Sequence, residues 1–268
     1  MSEALTFLLA PFIMCLILVG IHCYLGIHVI MRGVIFVDLA LAQVAAFGTT
    51  VAFLMGFEHH DMSSYFISLF ATLLAAAFLA LANKMEKKLS QEALIGIIYA
   101  FSTASIILVI DQISHGTEHL KYALVGQLLW VSWEDVLKVA VIYSAVALIH
   151  YLCRRQILAN SQGIGRSWWW DFVFYALFGV VITSSVQVAG VLLVFALLIV
   201  PALLGSYFYQ DIFKRLLFGW SLGFVLCAIG MSLSYWFDKP SGAFIVMVFT
   251  IVPLLFVLLK TTVLPHKK

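Results

Sequence analysis

The chain has 268 residues, of which 64% are hydrophobic and 10% are charged, and its mean hydropathy is +1.09. A soluble domain is roughly 45–50% apolar and about 25% charged, so one core of this length cannot bury the surplus and a soluble enzyme is excluded. The net charge of +2 is too small for a nucleic-acid partner, which would require a basic face. We therefore predict an all-α, polytopic membrane protein whose surface contacts membrane lipid.

Nine apolar runs follow one another along the chain, and each is long enough, or nearly so, to cross a hydrocarbon layer roughly 30 Å thick. They cover about residues 5–30, 34–56, 64–82, 93–110, 135–152, 172–186, 188–208, 216–236 and 242–260. The sixth and seventh runs share the apolar stretch Asp171–Phe208, which forms either two spans or one span plus a re-entrant piece. We expect eight or nine transmembrane helices in a single domain, residues 1–268.

Basic residues mark every second loop, and this pattern sets the orientation because Lys and Arg are retained on the cytoplasmic side. The basic loops lie at residue 32 and at residues 84–88, 154–166, 214–215 and 260–268. The alternate loops, at residues 57–63, 111–134, 184–190 and 237–241, hold only Lys121 and Lys239 as cations. For nine spans, the pattern predicts an external N-terminus and a cytoplasmic C-terminus.

The chain lacks a phosphate-binding loop of the form GxxxxGK[ST], so we expect it to be no enzyme and not to hydrolyse ATP itself. Asp38 is the only carboxylate well inside an apolar run. A proton-coupled carrier usually needs a relay of ionisable groups at membrane depth. An ion-gradient-driven secondary metal transporter is thus disfavoured and is kept as the alternative.

A family resemblance begins at Val188–Gly205, which reads VAGVLLVFALLIVPALLG and resembles the signature VGxLLVxALLxxPAATA of the ABC-3 membrane permeases. Gly26–Arg32 (GIHVIMR) resembles that family's GxFLVLRR, Glu92–Tyr99 (EALIGIIY) resembles its DxALGIIF, and Lys239–Phe244 (KPSGAF) resembles its LPSGA. The segments occur in family order between about residues 5 and 260. The sequence is therefore identified as a member of the ABC-3 family of metal-ion ABC importers.

This resemblance implies a type II-like importer permease in the bacterial cytoplasmic (inner) membrane. Its substrate would be a divalent transition-metal ion, namely zinc, manganese or iron, and it would hold no covalently bound cofactor. The resemblance also implies a homodimer, whose two-fold symmetry gives two ATP-binding subunits equivalent docking sites on the cytoplasmic face. These partners would use the ATP, and an extracytoplasmic metal-binding protein would deliver the ion.

The second helix departs from the family pattern GDALSHAALPG, in which Asp and His four residues apart can both face a divalent cation. The aligned stretch Asp38–Gly48 reads DLALAQVAAFG, so Gln43 takes the His position and Asp38 lies one residue early, rotated about 100° around the helix. An amide oxygen is a poorer zinc ligand than imidazole. Either Asp38 and Gln43 replace the family's metal pair or that site is lost. Asp38 itself either faces the pathway, or caps the helix or pairs with Arg32.

Histidine and acidic residues gather in two loops predicted to be external, where they can attract cations and ligate them transiently. The metal-ligand candidates are His59, His60, His115 and His119. Plain solvated loops explain the same residues. His115–His119 also fits the HxxEH pattern of a zinc protease, but Gly116 and Thr117 are poor helix formers and no further ligand is evident, which disfavours a protease.

The cytoplasmic stretch Arg154–Trp168 corresponds, by the resemblance, to the loop that forms the coupling helix against the ATPase. The candidate coupling residues are Arg154, Arg155, Gly163, Gly165 and Arg166. An ordinary basic loop followed by three interfacial tryptophans explains the stretch equally well.

The signature helix contains Gly190, Pro201 and Gly205. Proline cannot donate a hydrogen bond to the carbonyl four residues earlier, and glycine allows close approach of a neighbouring backbone. We expect this helix to kink, either as a moving gate or as a static packing element.

Overall fold

The computed structural model describes residues 2–58, 61–82, 90–113, 116–164 and 167–263. Within these ranges the chain is all-α, as predicted, and forms ten α-helices. Their bounds are α1 Ser2–Arg32, α2 Val37–Leu54, α3 Met62–Ala82, α4 Gln91–Ile110, α5 Gly116–Val125, α6 Trp133–Leu152, α7 Arg154–Ser161, α8 Trp168–Phe208, α9 Ile212–Phe237 and α10 Ser241–Val263. A short 3₁₀ helix, Leu128–Trp130, links α5 to α6.

Eight of these helices are long and apolar enough to cross a membrane, which confirms the predicted eight or nine spans. The longest, α8, has 41 residues. A straight helix of that length would extend about 61 Å, roughly twice the hydrocarbon thickness. Gly190 interrupts α8 with non-helical backbone angles, φ 74° and ψ 161°. We name the part before this residue α8a (residues 168–189) and the part after it α8b (residues 191–208).

The chain reverses direction at Gly190, because α8a and α8b pass the same stretch of α1. Ser185 of α8a contacts His22, while the Leu198 carbonyl of α8b lies against Gly26. The far end of α8a meets the end of α1, where Asp171 pairs with Arg32. The Asp171–Phe208 stretch is therefore two antiparallel helices joined by one glycine. The loop predicted near residues 184–190 is absent, since α8a remains helical up to Gly190.

The bundle is arranged around α8. In the most apolar window of α8, 78% of residues are buried, against 17% in α4 and in α10. Large side chains such as Phe101, Leu108 and Leu254 are exposed on those two outer helices. The apolar surplus of the sequence thus lies on the outside of the bundle, which is expected of a protein whose solvent is lipid.

We call the end of the bundle that carries Arg32 the inner end, since the charge pattern places it in the cytoplasm. The opposite, outer end holds Gly190, which lies against Gly126, and Gly242, which lies against Val125. Lys260, at the other end of α10, donates a hydrogen bond to the Tyr207 hydroxyl. Helix α8b therefore runs parallel to α10, from the outer end to the inner end.

Candidate functional site

A cleft of about 460 Å³ opens at the outer end, between the starts of α3 and α6 and the last turn of α8a. Its lining comprises Asp61, Met62, Tyr65, Gln127, Trp130, Val131, Asp135, Lys138, Val139, Ile142, Ser184, Gln187 and Val188. We call it the outer cleft. Asp61 belongs to one of the two loops whose histidine and acidic residues were predicted to attract cations, and it lines this cleft.

The carboxylates of the outer cleft also stabilise the local backbone. Asp61 Oδ2 accepts a hydrogen bond from the Glu58 amide at 3.0 Å. Asp135 Oδ2 accepts one from the Ser132 amide at 3.1 Å, which forms a capping box at the start of α6. The described residues contain no group of three His, Cys, Asp or Glu side chains that could hold a metal ion. The described part of the cleft therefore carries two carboxylates and the cation Lys138 but no closed metal cage, and cation collection there stays a prediction.

Three consecutive hydroxyls of α8a lie just inside the outer cleft, and each contacts a different helix. Thr183 donates to Thr72 of α3 at 3.1 Å. The Ser184 hydroxyl lies 3.4 Å from that of Tyr143 in α6. Ser185 is 3.2 Å from Nε2 of His22 in α1. We call Thr183, Ser184 and Ser185 the hydroxyl triplet.

Sequence reasoning missed the hydroxyl triplet because Ser184 and Ser185 were assigned to a loop between two spans and Thr183 to the end of the preceding apolar run. The polar letters TSS interrupt an otherwise apolar run, and this is the signal that could have revealed them. Ser184 and Ser185 also bond carbonyls of the preceding turn of α8a, Val180 and Val181. Such local bonds let serine lie in a buried helix without an unsatisfied hydroxyl.

Asp38 and Gln43 are both buried in α2, but the structure does not bring them together. They are five positions apart, so their directions differ by about 140° around the helix axis. Neither carboxylate oxygen of Asp38 has a hydrogen-bond partner among the described residues. The alternative that pairs Asp38 with Arg32 is wrong, because Arg32 pairs with Asp171. A pathway role for Asp38 stays a prediction.

The predicted external histidines lie largely outside the described residues. This applies to His59, His60, His115 and the side chain of His119, so their metal-binding role stays a prediction. The backbone of α5 is helical from Gly116, although Gly116 and Thr117 were expected to disfavour a helix. Glycine is tolerated where a helix begins, since the first amides have no intrahelical partner in any case.

The predicted coupling segment forms the short helix α7, which begins with the exposed Arg154 and Arg155 and is followed by Gly163. Gly165 and Arg166 lie outside the described residues. The end of α7 is anchored by buried polar contacts: Asn160 donates to Asp171 at 2.5 Å, and Arg32 Nε donates to the Ser161 hydroxyl at 3.0 Å. The arrangement fixes α7 to α1 and α8a and leaves Arg154 and Arg155 exposed, while their role in coupling stays a prediction.

The predicted gating residues have different surroundings. Gly190 forms the break itself, and a Cβ atom there would lie 2.4 Å from the Gly126 nitrogen. Pro201 is buried and keeps helical backbone angles. Gly205 lets α8b approach the start of α9, since its Cβ would lie 2.8 Å from the Arg215 carbonyl oxygen. The break expected along this helix is thus at Gly190, while gating by these residues stays a prediction.

Comparison with known proteins gives consistent matches over nearly the whole chain. The sequence model of the ABC 3 transport family matches residues 5–260. The chain is 27% identical over 238 residues to the manganese transport system membrane protein MntC of Listeria monocytogenes, covering 85% of this chain and 81% of that protein. It is 26% identical over 244 residues to the chelated iron transport system membrane protein YfeC of Yersinia pestis, covering 88% and 80%.

Among solved structures, the fold resembles a chain of PsaBC from Streptococcus pneumoniae in complex with Fab. The TM-score is 0.77 at 20% sequence identity, and the match covers 95% of this chain and 93% of that chain. At this identity the likeness shows the fold alone. It agrees with the multi-pass helical bundle described above.

Proposed function

Because the chain belongs to the ABC 3 transport family, we propose that it is the membrane-spanning permease subunit of an ATP-binding cassette importer for a divalent transition-metal ion. The observation that carries this proposal is the family match over residues 5–260 on a bundle with eight apolar spans.

Manganese and iron rank ahead of zinc as the transported ion. The relatives compared above are named for manganese and for chelated iron. The described donors that line the outer cleft are oxygens of Asp61, Asp135, Ser184 and Gln187. Oxygen ligands suit manganese, whereas zinc prefers histidine and cysteine.

The described polar groups support a route that starts at the outer end. A cation is attracted to the carboxylates of the outer cleft and then meets Ser184, the member of the hydroxyl triplet that lines the cleft. A hydroxyl oxygen at that depth replaces part of the ion's hydration without binding it tightly, which favours passage over storage. Gly190, at the top of α8a, lies beside this entrance.

The partners are inferred from the family, and the sequence has no phosphate-binding loop of its own with which to hydrolyse ATP. A separate ATP-binding subunit supplies the energy and docks at the inner end on α7, whose Arg154 and Arg155 are exposed. Two copies of the permease form a homodimer and present two equivalent docking sites. An extracytoplasmic metal-binding protein delivers the ion to the outer cleft.

The test is reconstitution of the permease with an ATP-binding subunit and an extracytoplasmic metal-binding protein from the same organism. Vesicles loaded with ATP on the cytoplasmic side of the permease are expected to transport manganese, with iron and zinc as competing ions. The matched control carries an ATPase partner whose hydrolytic carboxylate is replaced, and it is expected to be inactive.

Two outcomes would overturn the proposal. One is metal uptake driven by a pH gradient in vesicles that contain only this chain, which would establish the ion-gradient-driven carrier instead. The other is ATP hydrolysis by the purified chain at the rate of the full assembly.

A further inference from the structure

A second cavity, of about 640 Å³, lies on the side of the bundle between α1, α6 and α9. Its lining comprises Ile17, Gly20, Ile21, Tyr24, Ala140, Tyr143, Ser144, Ala147, His150, Tyr151, Arg154, Leu216 and Trp220. We call it the lateral groove. It is separate from the outer cleft, with which it shares no lining residue.

The lateral groove is shaped by small residues on its α6 wall and by an aromatic side chain on its α9 wall. Ala140, Ser144 and Ala147 recur at helical spacing on α6 and leave space above Gly20 of α1. Trp220 of α9 donates from Nε1 to the Gly20 carbonyl at 2.9 Å, so its ring is held in place. The lateral groove thus has predominantly apolar walls and opens on the surface of the bundle between α6 and α9.

The length of the lateral groove matches one leaflet of a bilayer. Ala140 and Tyr151 mark its extent along α6, and eleven residues of helix rise about 16 Å. Half of a hydrocarbon core is about 15 Å. Arg154 follows immediately at the inner end, at the depth expected for lipid headgroups.

The charge at the inner end of the groove is positive. Arg154 is exposed, with its guanidinium carbon 4.8 Å from the centre of the Tyr151 ring. Arg155 is its exposed neighbour, and Lys214 is exposed at the start of the facing helix α9. The lining residues include no carboxylate. Guanidinium groups bind phosphate oxygens in a bidentate manner, and the cytoplasmic leaflet is rich in anionic lipid.

His150 gives an independent indication of a ligand. It lines the groove and is 1% exposed. Its Nδ1 lies 3.3 Å from the Tyr24 hydroxyl, while its Nε2 is buried without a hydrogen-bond partner among the described residues. Buried polar atoms normally have a partner; Nε2 is covered in the described rotamer, and a lipid ester or glycerol oxygen would bond it once the imidazole turns toward the groove.

We propose that the lateral groove binds one anionic phospholipid of the cytoplasmic leaflet, with an acyl chain along α1 between α6 and α9 and its phosphate at Arg154. This inference does not depend on the transported ion, and because Arg154 is also proposed to contact the ATPase, it is tested on the permease without its partners. The bound lipid fills the space between α6 and α9 and thereby braces the inner half of both helices.

The test uses the full-length protein, delipidated in detergent and titrated with phosphatidylglycerol or phosphatidylethanolamine while bound lipids are counted by native mass spectrometry. One tightly bound phosphatidylglycerol per chain is expected. Arg154→Ala should weaken its binding about tenfold, the loss expected for one charge-assisted contact to phosphate. Lys239→Ala, an exposed cation of the outer end, is the control and should bind as the parent protein does.

A second pair of variants tests whether an acyl chain occupies the lateral groove. Ala147→Leu fills the groove and should abolish the tight site, whereas Ala145→Leu places the same bulk on an exposed position of α6 outside the groove lining and should not. If Ala147→Leu fails to fold, quenching of Trp220 fluorescence by brominated phosphatidylglycerol, with Trp220→Phe as the control, reports occupancy instead.

Three results would overturn the proposal. The first is phosphatidylglycerol binding that stays at the parent's level in the Arg154→Ala variant or in the Ala147→Leu variant. The second is equal displacement by inorganic phosphate, which would indicate an anion site without an acyl chain. The third is a disulfide between two Ala147→Cys chains in lipid, which would show that a second copy of the chain covers the groove.

Discussion

Arg32 and Asp171 form a buried ion pair at the inner end, with side chains only 5% and 3% exposed. Several groups support the pair: Asn160 donates to the carboxylate, and the Phe174 ring centre lies 4.1 Å from the guanidinium carbon. Removing one partner of such a pair leaves the other charge uncompensated in an apolar region, which is costly. These two residues therefore fix how α1, α7 and α8a meet.

We expect Asp171→Asn to destabilise the protein by about 3–5 kcal/mol, because Arg32 keeps its charge without a counter-ion. Thermal unfolding in detergent measures the effect. The matched control is Glu134→Gln, which breaks the exposed pair of Glu134 and Lys138, 2.9 Å apart with side chains 75% and 59% exposed, and should leave the midpoint unchanged. Equal effects of the two substitutions would contradict a structural role for the buried pair.

Asp38→Asn is expected to leave the unfolding midpoint unchanged or to raise it, since an amide costs less to bury than a carboxylate that lacks a partner. If Asp38 faces the pathway, the same variant should weaken ATP-driven metal uptake without abolishing it. Asp238→Asn is the control, because Asp238 is an exposed residue of the outer end with positive φ, which Asn accepts. Complete loss of uptake in Asp38→Asn would favour the ion-gradient-driven carrier.

The sequence predicted individual residues unevenly, for a physical reason. Asp38 was found because a carboxylate in an apolar run is visible locally. The pairing of Arg32 with Asp171 spans 139 positions, and no local pattern specifies which of several polar groups a buried arginine meets. The suggested pairing of Asp38 with Arg32 failed for the same reason, since the sequence does not specify which carboxylate a buried arginine contacts.

Helices α8a and α8b depend on one residue at their junction. Gly190 combines φ 74° with ψ 161°, a region that only glycine occupies without strain. Its neighbour Gly126, also at positive φ, approaches so closely that neither position has space for a Cβ atom. The reversal at the outer end thus requires both glycines.

Gly190→Ala is expected to lower stability by at least about 1–3 kcal/mol from backbone strain alone, with the contact to Gly126 adding to the loss. Gly96→Ala is the control, because a Cβ atom there has no neighbour within 4 Å and alanine favours a helix. The two midpoints in thermal unfolding should move in opposite directions. A Gly190→Ala variant as stable as the parent would refute the described junction.

At the scale of elements, the apolar runs predicted the long helices well because each run must satisfy its own backbone in lipid. The prediction was wrong near Ser184, where consecutive polar residues suggested a loop between two spans. The serines instead bond to carbonyls of their own helix, so the polarity that suggested a chain break is compatible with α8a.

The whole molecule is a bundle in which α8 is enclosed and α4 and α10 are exposed. Composition predicted the membrane and the all-α class, because these depend on total apolar content. It could not predict which helix is central, since the eight helices long enough to span a membrane are apolar on nearly all sides and their amphipathic patterns are therefore weak. The outer cleft likewise combines α3, α6 and α8a, whose proximity is a property of the folded bundle.

Docking of an ATP-binding partner at the inner end gives a prediction for the assembly. Replacing both Arg154 and Arg155 by Glu reverses the charge of α7 and should reduce co-purification of the ATPase about tenfold or more, since like charges across an interface are unfavourable. Lys239→Glu, at the outer end, is the control and should purify with the ATPase as the parent does. Unchanged co-purification of the double variant would exclude α7 as the docking element.

The contacts at the two ends of α8a have a mechanical consequence. Its inner end is fastened to α7 through Asp171 and Asn160, and its other end stops at Gly190 beside the outer cleft. This uninterrupted rod is about 33 Å long, close to the thickness of the hydrocarbon layer. We expect a displacement of α7 at the inner end to tilt α8a as a rigid body. Because α8a has no break before Gly190, the same tilt would move the wall of the outer cleft.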